Sequence, residues 1–103
     1  MIVALVRFVL PSTTDKNTAT RLFASSAESF RAVPGLLRKY YVLGEDCTGG
    51  GCYLWRSRED AESFYTVEWR RGLRARFGSE PSVEYFDAPV VVDNVSGEVV
   101  TPS

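Results

Sequence analysis

The segment Gly49-Gly50-Gly51-Cys52-Tyr53-Leu54-Trp55, followed at once by Ser57-Arg58-Glu59-Asp60-Ala61, sets the tightest limit on the architecture. Three consecutive glycines supply backbone freedom for a tight reversal, and the aromatic and aliphatic run after them has strand propensity. Ser57 with Asp60 reads as a capping pair that opens a helix. So small a strand, with two large aromatics and almost no loop after it, implies a compact sheet with helices on one face. The glycines do not read as a phosphate loop. They lack the Gly-Lys-Ser/Thr ending and lead into a strand rather than a helix.

The remaining elements follow from periodicity. Ile2 to Leu10 is apolar apart from Arg7 and is apolar on both sides of the pleat, the pattern of a strand covered on both faces. Pro11 ends it. Ser12 to Asp15 offers helix N-caps, and Ala19, Leu22, Phe23, Ser26, Ala27 and Phe30 recur at helical spacing, which predicts a helix from about Asp15 to about Ala32. Val33-Pro34-Gly35 stops it. Leu36 to Glu45 reads as the second strand, with Leu37, Lys39, Tyr41 and Leu43 on one face and Leu36, Arg38, Tyr40 and Val42 on the other. Asp46 to Gly50 then reads as a hairpin turn into a third strand, Gly51 to Arg56. From Arg58, the stripe Ala61, Phe64, Tyr65, Trp69, Leu73 and Phe77 predicts one long helix ending at Gly78, and Val83 to Asp87 a fourth strand. The order strand-helix-strand-strand-helix-strand is the ferredoxin-like βαββαβ plan, an α+β fold with a four-stranded antiparallel sheet over residues 1–88.

Helices on one face leave the other face of such a sheet bare. Here that face reads as apolar, so two copies are expected to pack sheet to sheet as a homodimer. Residues 89–103, too apolar for a loose tail and too short for a domain, are expected to form an arm that reaches over the partner.

Composition narrows the function. With 103 residues the chain makes one domain with a thin core. Twelve basic and 13 acidic residues give a net charge of −1, which argues against nucleic-acid binding. No apolar run is long enough to span a membrane, and Met1 to Arg7 lacks the features of a signal peptide, so the expected location is cytoplasmic. There is no histidine, which excludes Ser-His-Asp and Cys-His catalysis within the chain, along with histidine-ligated haem and zinc. Cys47 and Cys52 make a poor metal site, so no metal is expected. A disulfide between them is open to the spacing, with reduced thiols favoured in a chain lacking an export signal.

Taken together, Pro34-Gly35-Leu36, the strand with Lys39 and Tyr41, Gly50 to Trp55, and Ala61 with Tyr65 resemble the YdhR-like monooxygenases. These belong to the dimeric α+β barrel superfamily that includes the antibiotic-biosynthesis monooxygenases. The resemblance covers about residues 2–88. It implies a pocket between sheet and helices in each subunit and a cofactor-independent oxygenation of a small aromatic or polyketide-like substrate. Such a reaction needs a dry aromatic cavity, a base or hydrogen bond that ionises a phenol, and a donor that holds the anion. The superfamily also contains non-catalytic small-molecule-binding and stress-response dimers, and isomerases that need a convincing acid–base pair.

Lys39, Tyr53 and Trp55 are the catalytic candidates on this reading. A lysine among apolar neighbours has a lowered pKa and serves as base or anion holder; the plainer alternative is a side chain that snorkels to the sheet end. Tyr53 and Trp55 offer an O–H and an N–H donor if they face the helices; the alternative is core packing. Phe8, Phe23, Tyr41, Phe64, Tyr65 and Trp69 are the candidate substrate-binding residues, their helical or strand spacing being that of core side chains first. Arg7 is expected to pair with Glu84 or Asp87 on the fourth strand. Arg70, Arg71, Arg74 and Arg76 are expected to pair with the acids that follow, Glu80, Glu84, Asp87, Asp93 and Glu98.

Overall fold

The computed structural model of the chain describes residues 1–101, so the last two residues of the expected arm lie outside the described part. Four strands, β1 (Ile2–Val9), β2 (Leu36–Leu43), β3 (Thr48–Trp55) and β4 (Ser82–Asp87), form one antiparallel sheet in the order β2-β3-β1-β4. Three helices connect them: α1 (Lys16–Ala27), α2 (Arg58–Phe64) and α3 (Val67–Phe77). This is the ferredoxin-like α+β fold. Among the described residues no helix is long and apolar enough to cross a membrane.

The register explains which face is covered. Ile2, Ala4, Val6 and Phe8 alternate along β1 and are buried, and they pair with Trp55, Tyr53, Gly51 and Gly49 of β3. This set faces the helices and forms the core with Leu10, Ala61 and Tyr65. The opposite face is not closed within the chain, contrary to the two-sided burial expected of β1. Val3 and Leu5 are half-buried, Val9 is exposed, and Tyr40 and Phe86 are 57% and 48% exposed. Arg7 pairs with Glu84 on this face, as the sequence indicates.

The structure departs from the local sequence pattern at three places. The first helix is shorter than its apolar periodicity suggests. Asp15 caps it by accepting from Thr18 N at 2.7 Å, but it gives way at Ala27 to a single 3-10 turn, Glu28–Phe30. Ser25, Ser26 and Ser29 each return a hydroxyl to a carbonyl three residues back, and this competition loosens the last turn. The second helix is two helices. Tyr65 leaves helical geometry, and Thr66 caps a new helix by accepting from Trp69 N at 3.1 Å. A Thr with Glu68 in the following turn is a second N-terminal signal lying inside the apolar stripe.

The glycine triplet does not form the turn. The reversal occupies Gly44 to Cys47, where Gly44 N donates to Thr48 O at 2.7 Å and Cys47 takes a left-handed φ of 61°. Asp46 stabilises it by accepting from Thr48 N at 3.0 Å. Gly49, Gly50 and Gly51 lie inside β3, opposite Phe8, Arg7 and Val6. They are there because neighbours approach closely, not because the chain turns. A Cβ on Gly50 would lie 1.8 Å from Val6 O, and one on Gly51 would lie 2.7 Å from Tyr53 Cε1 and 3.2 Å from Lys39 Cε.

The segment after β4 is a small separate hairpin, β5 (Val91–Asp93) and β6 (Glu98–Val100). It is tied back to the open sheet face by Arg38, which donates to Asp93 at 2.9 Å. Among the described residues the expected pairing of the arginine cluster with the acids that follow it is therefore mostly absent. Arg74 meets Glu80 at 3.9 Å, whereas Glu84 and Asp93 are taken by Arg7 and Arg38.

Candidate functional site

A cavity of about 370 Å³ lies between the helix-side face of the sheet and helices α1 and α3. Its size falls within the roughly 300–1,000 Å³ typical of small-molecule sites. The sheet supplies its floor: Val6 and Phe8 from β1, Lys39 and Tyr41 from β2, and Gly50 with Tyr53 from β3. The helices supply the walls, Phe23 and Phe30 on one side, Phe64, Trp69 and Phe77 on the other. The missing side chain of Gly51 gives Lys39 and Tyr53 room to lie side by side in register.

Lys39 is the chemically distinctive group. Its Nζ lies 3.4 Å from the ring centre of Phe30, 3.8 Å from that of Tyr41 and 4.7 Å from that of Tyr53. Three ring faces partly replace water around the cation. Among the described residues it has no carboxylate or hydroxyl partner. Burial lowers its pKa from 10.5 to about 7, because the charged form is desolvated. Near neutral pH this lysine therefore populates both the amine and the ammonium.

Tyr53 is buried and stacks on Trp55 at 6.0 Å with planes 7° apart. Burial, with the neighbouring Tyr41, pushes its phenol well above the ordinary tyrosine range, so it keeps its proton and acts only as a donor or neutral acceptor. Tyr41 and Ser26 share a hydrogen bond of 2.8 Å, and Tyr41 stacks on Phe23 at 5.0 Å. This pair closes the α1 side.

Of the sequence candidates, Lys39, Tyr53, Phe8, Phe23, Tyr41, Phe64 and Trp69 all line the cavity. Trp55 and Tyr65 do not. Trp55 is completely buried, and its Nε1–H donates to Tyr65 Oη at 3.1 Å. Tyr65 in turn packs edge-on against Tyr53 at 5.4 Å and Trp69 at 4.8 Å. The two residues form a layer behind the lining that fixes the tilt of the rings in front.

Several lining residues carry no local signal for this role in the sequence. Phe30 reads as a helical core position, and its place over Lys39 depends on the 3-10 turn that carries it. Gly50 reads as part of a turn, and Arg76 as a helix-end charge. Ser29, Gly72 and Arg76 are the exposed members of the lining and so mark the mouth, between the end of α1 and α3. Among the described residues no cluster of His, Cys, Asp and Glu could hold a metal ion. Both cysteines are free thiols outside the cavity.

A four-stranded antiparallel sheet in this order, with helices on one face and a cavity between, defines the ferredoxin-like α+β class. Solved structures of two oxygenases are similar in fold. The fold is similar to that of a monooxygenase from the ActVA-Orf6 gene of Streptomyces coelicolor, solved with nanaomycin D, with a TM-score of 0.62 and 20% identity over 84% of this chain and 86% of that one. It is also similar to a point mutant of SnoaB, a cofactor-independent oxygenase from Streptomyces nogalater, with a TM-score of 0.57 and 19% identity over 84% of this chain and 91% of the other. At these identities the likeness is one of fold. No family model and no curated protein matches the sequence.

Proposed function

We propose that the chain is a cofactor-independent monooxygenase, close to the YdhR-like group, acting on a planar phenolic or polyketide-like substrate in this cavity. One observation carries the reading: a lysine with no acidic or hydroxyl partner among the described residues is enclosed by three rings in an otherwise largely apolar cavity. Both structural neighbours are described as oxygenases, which supports the same reading.

The chemistry follows from the groups present. Lys39 as the amine takes the phenolic proton, and the ammonium so formed lies against the phenolate. Tyr53, which keeps its proton, donates to the anion. The phenolate is the enolate of the keto tautomer, so the one anion shares its charge with the ring carbon that is a methylene in that tautomer, and no second deprotonation is needed to make it a carbanion. Dioxygen oxidises that carbon: one oxygen becomes a carbonyl, the other leaves as water, and CH₂ plus O₂ gives C=O plus H₂O. Trp55 and Tyr65 are positioning residues here, acting through the Tyr53 and Trp69 rings. The surrounding rings exclude water from the reactive anion.

An oxygen electrode with anthrone-type and quinol substrates tests this. Oxygen consumed in proportion to quinone formed is the expected result. No uptake across the panel, with ligand still bound, removes the oxygenase reading and leaves a non-catalytic small-molecule-binding protein.

We also propose a homodimer closed through the open sheet face, with residues 89–103 lying over the partner. The exposed Tyr40 and Phe86 favour it. So does the β5–β6 hairpin, since a lone two-stranded hairpin is marginal in water, yet Val92, Val95 and Val99 are 63%, 96% and 66% exposed. Light scattering at micromolar concentration should give twice the chain mass; a single-chain mass overturns the dimer.

A further inference from the structure

The cavity lining contains two cations, Lys39 and Arg76, and no aspartate or glutamate. The chain as a whole has 13 acids against 12 bases, so this separation is local and not a reflection of composition. The two cations occupy different depths. Lys39 is half-buried on the floor, whereas Arg76 is exposed on the last turn of α3 at the mouth.

Arg76 is more than a cation at a helix end. Arg74, in the same turn, meets the nearby acid, Glu80, at 3.9 Å. Among the described residues Arg76 has no ion pair. Its guanidinium lies over the Phe77 ring at 5.2 Å, and Phe77 is itself part of the cavity wall, stacked on Phe8 at 4.6 Å. The ring that forms the wall therefore holds the charge at the rim. One turn earlier stands Gly72, where an added methyl would meet nothing within 4 Å. A glycine inside a helix weakens it without any packing reason here, and its missing side chain leaves the rim beside Arg76 open.

We propose that the cavity takes an amphipathic aromatic acid: a fused-ring body with a phenol at the inner end facing Lys39 and a carboxylate at the outer end held by Arg76. The proposal rests on the cavity being a ligand site and is independent of the oxygen chemistry. A guanidinium presents a planar fork that matches a carboxylate with two parallel N–H···O bonds. At the rim the carboxylate keeps part of its hydration, so no unpaired charge is buried. An apolar body and two polar ends then match an apolar cavity with a cation at each depth.

Calorimetric titration with 6-hydroxy-2-naphthoate, its methyl ester and 2-naphthol tests this without turnover. The acid should bind roughly fivefold to tenfold more tightly than the ester at low salt, the gain of one charge-assisted pair at a half-solvated rim. Arg76→Gln should reduce that advantage to less than about twofold, and Arg76→Lys should keep only part of it, because the charge remains but the bidentate fork is lost. Equal affinity of acid and ester for the unaltered protein, or a preference that survives Arg76→Gln, overturns the proposal and leaves the cavity as a ligand site. Binding of none of the three overturns the ligand site and the proposal together.

Discussion

Gly50→Ala is expected to remove about 3–5 kcal/mol of stability, the range of exceptionally damaging single substitutions. The added methyl would lie 1.8 Å from Val6 O and 2.8 Å from Val6 C, both backbone atoms of the central strand, at a glycine φ of +155°. No rotamer change relieves a contact with backbone, so β1 and β3 must separate. That pair carries the core: Ile2, Ala4, Val6 and Phe8 on one strand, Tyr53 and Trp55 on the other. Close-packed interiors do not absorb such a shift. A domain of this size has a total stability of only about 5–15 kcal/mol, so the variant should unfold at a far lower urea concentration than the parent. Gly72→Ala is the internal control. Its methyl meets nothing within 4 Å, so it should raise stability by about 0.5–1 kcal/mol through helix propensity alone. Circular dichroism melts in urea measure both. A parental midpoint for Gly50→Ala would show that the two strands are not held this closely.

The same glycines show where sequence reasoning stops. Element types and their order were legible because each rests on a local pattern: alternation in β1, the helical stripes, and the Ser57 and Gly78 signals. From that order the sheet and its helix-covered face follow. A glycine triplet, however, suits both a turn and a site of close approach, and local pattern cannot separate them. The difference lies in the cross-strand register, which puts Gly50 against the Val6 carbonyl and Gly51 beneath Lys39. The break at Tyr65–Thr66 was hidden similarly, since the apolar stripe runs through both helices. Aromatic candidates for the site were legible because large rings on inward faces must meet. Their division into lining and backing layer was not. Tyr53 and Trp55 lie on the same face two residues apart, yet Trp55 has its donor taken by Tyr65 and never reaches the cavity.

Lys39→Met should separate the cost of this site from its use. In the unfolded chain Lys39 titrates at its ordinary 10.5, and in the folded chain at about 7. Below pH 7 both states carry the proton, and folding bears the full penalty of burying the ammonium. Between about 7 and 10.5 folding releases the proton, so the unfolded state binds more of them and stability rises with pH across that window. Methionine is similar in length and carries no charge. The variant should therefore be more stable than the parent at pH 6, with the advantage shrinking towards zero by pH 10.5. At about 1.4 kcal/mol per pKa unit the bare shift would be worth several kcal/mol. The rings around Nζ return part of that, and water entering through the mouth screens more, so a gain of about 1–2 kcal/mol at pH 6 is expected. The same variant should lose about 100-fold or more in oxygen consumption if the lysine is the base, since a positioned base contributes that much. A pH-independent stability difference would mean that the buried ammonium costs nothing. A more stable variant with unaltered turnover would mean that the phenol is ionised by another group.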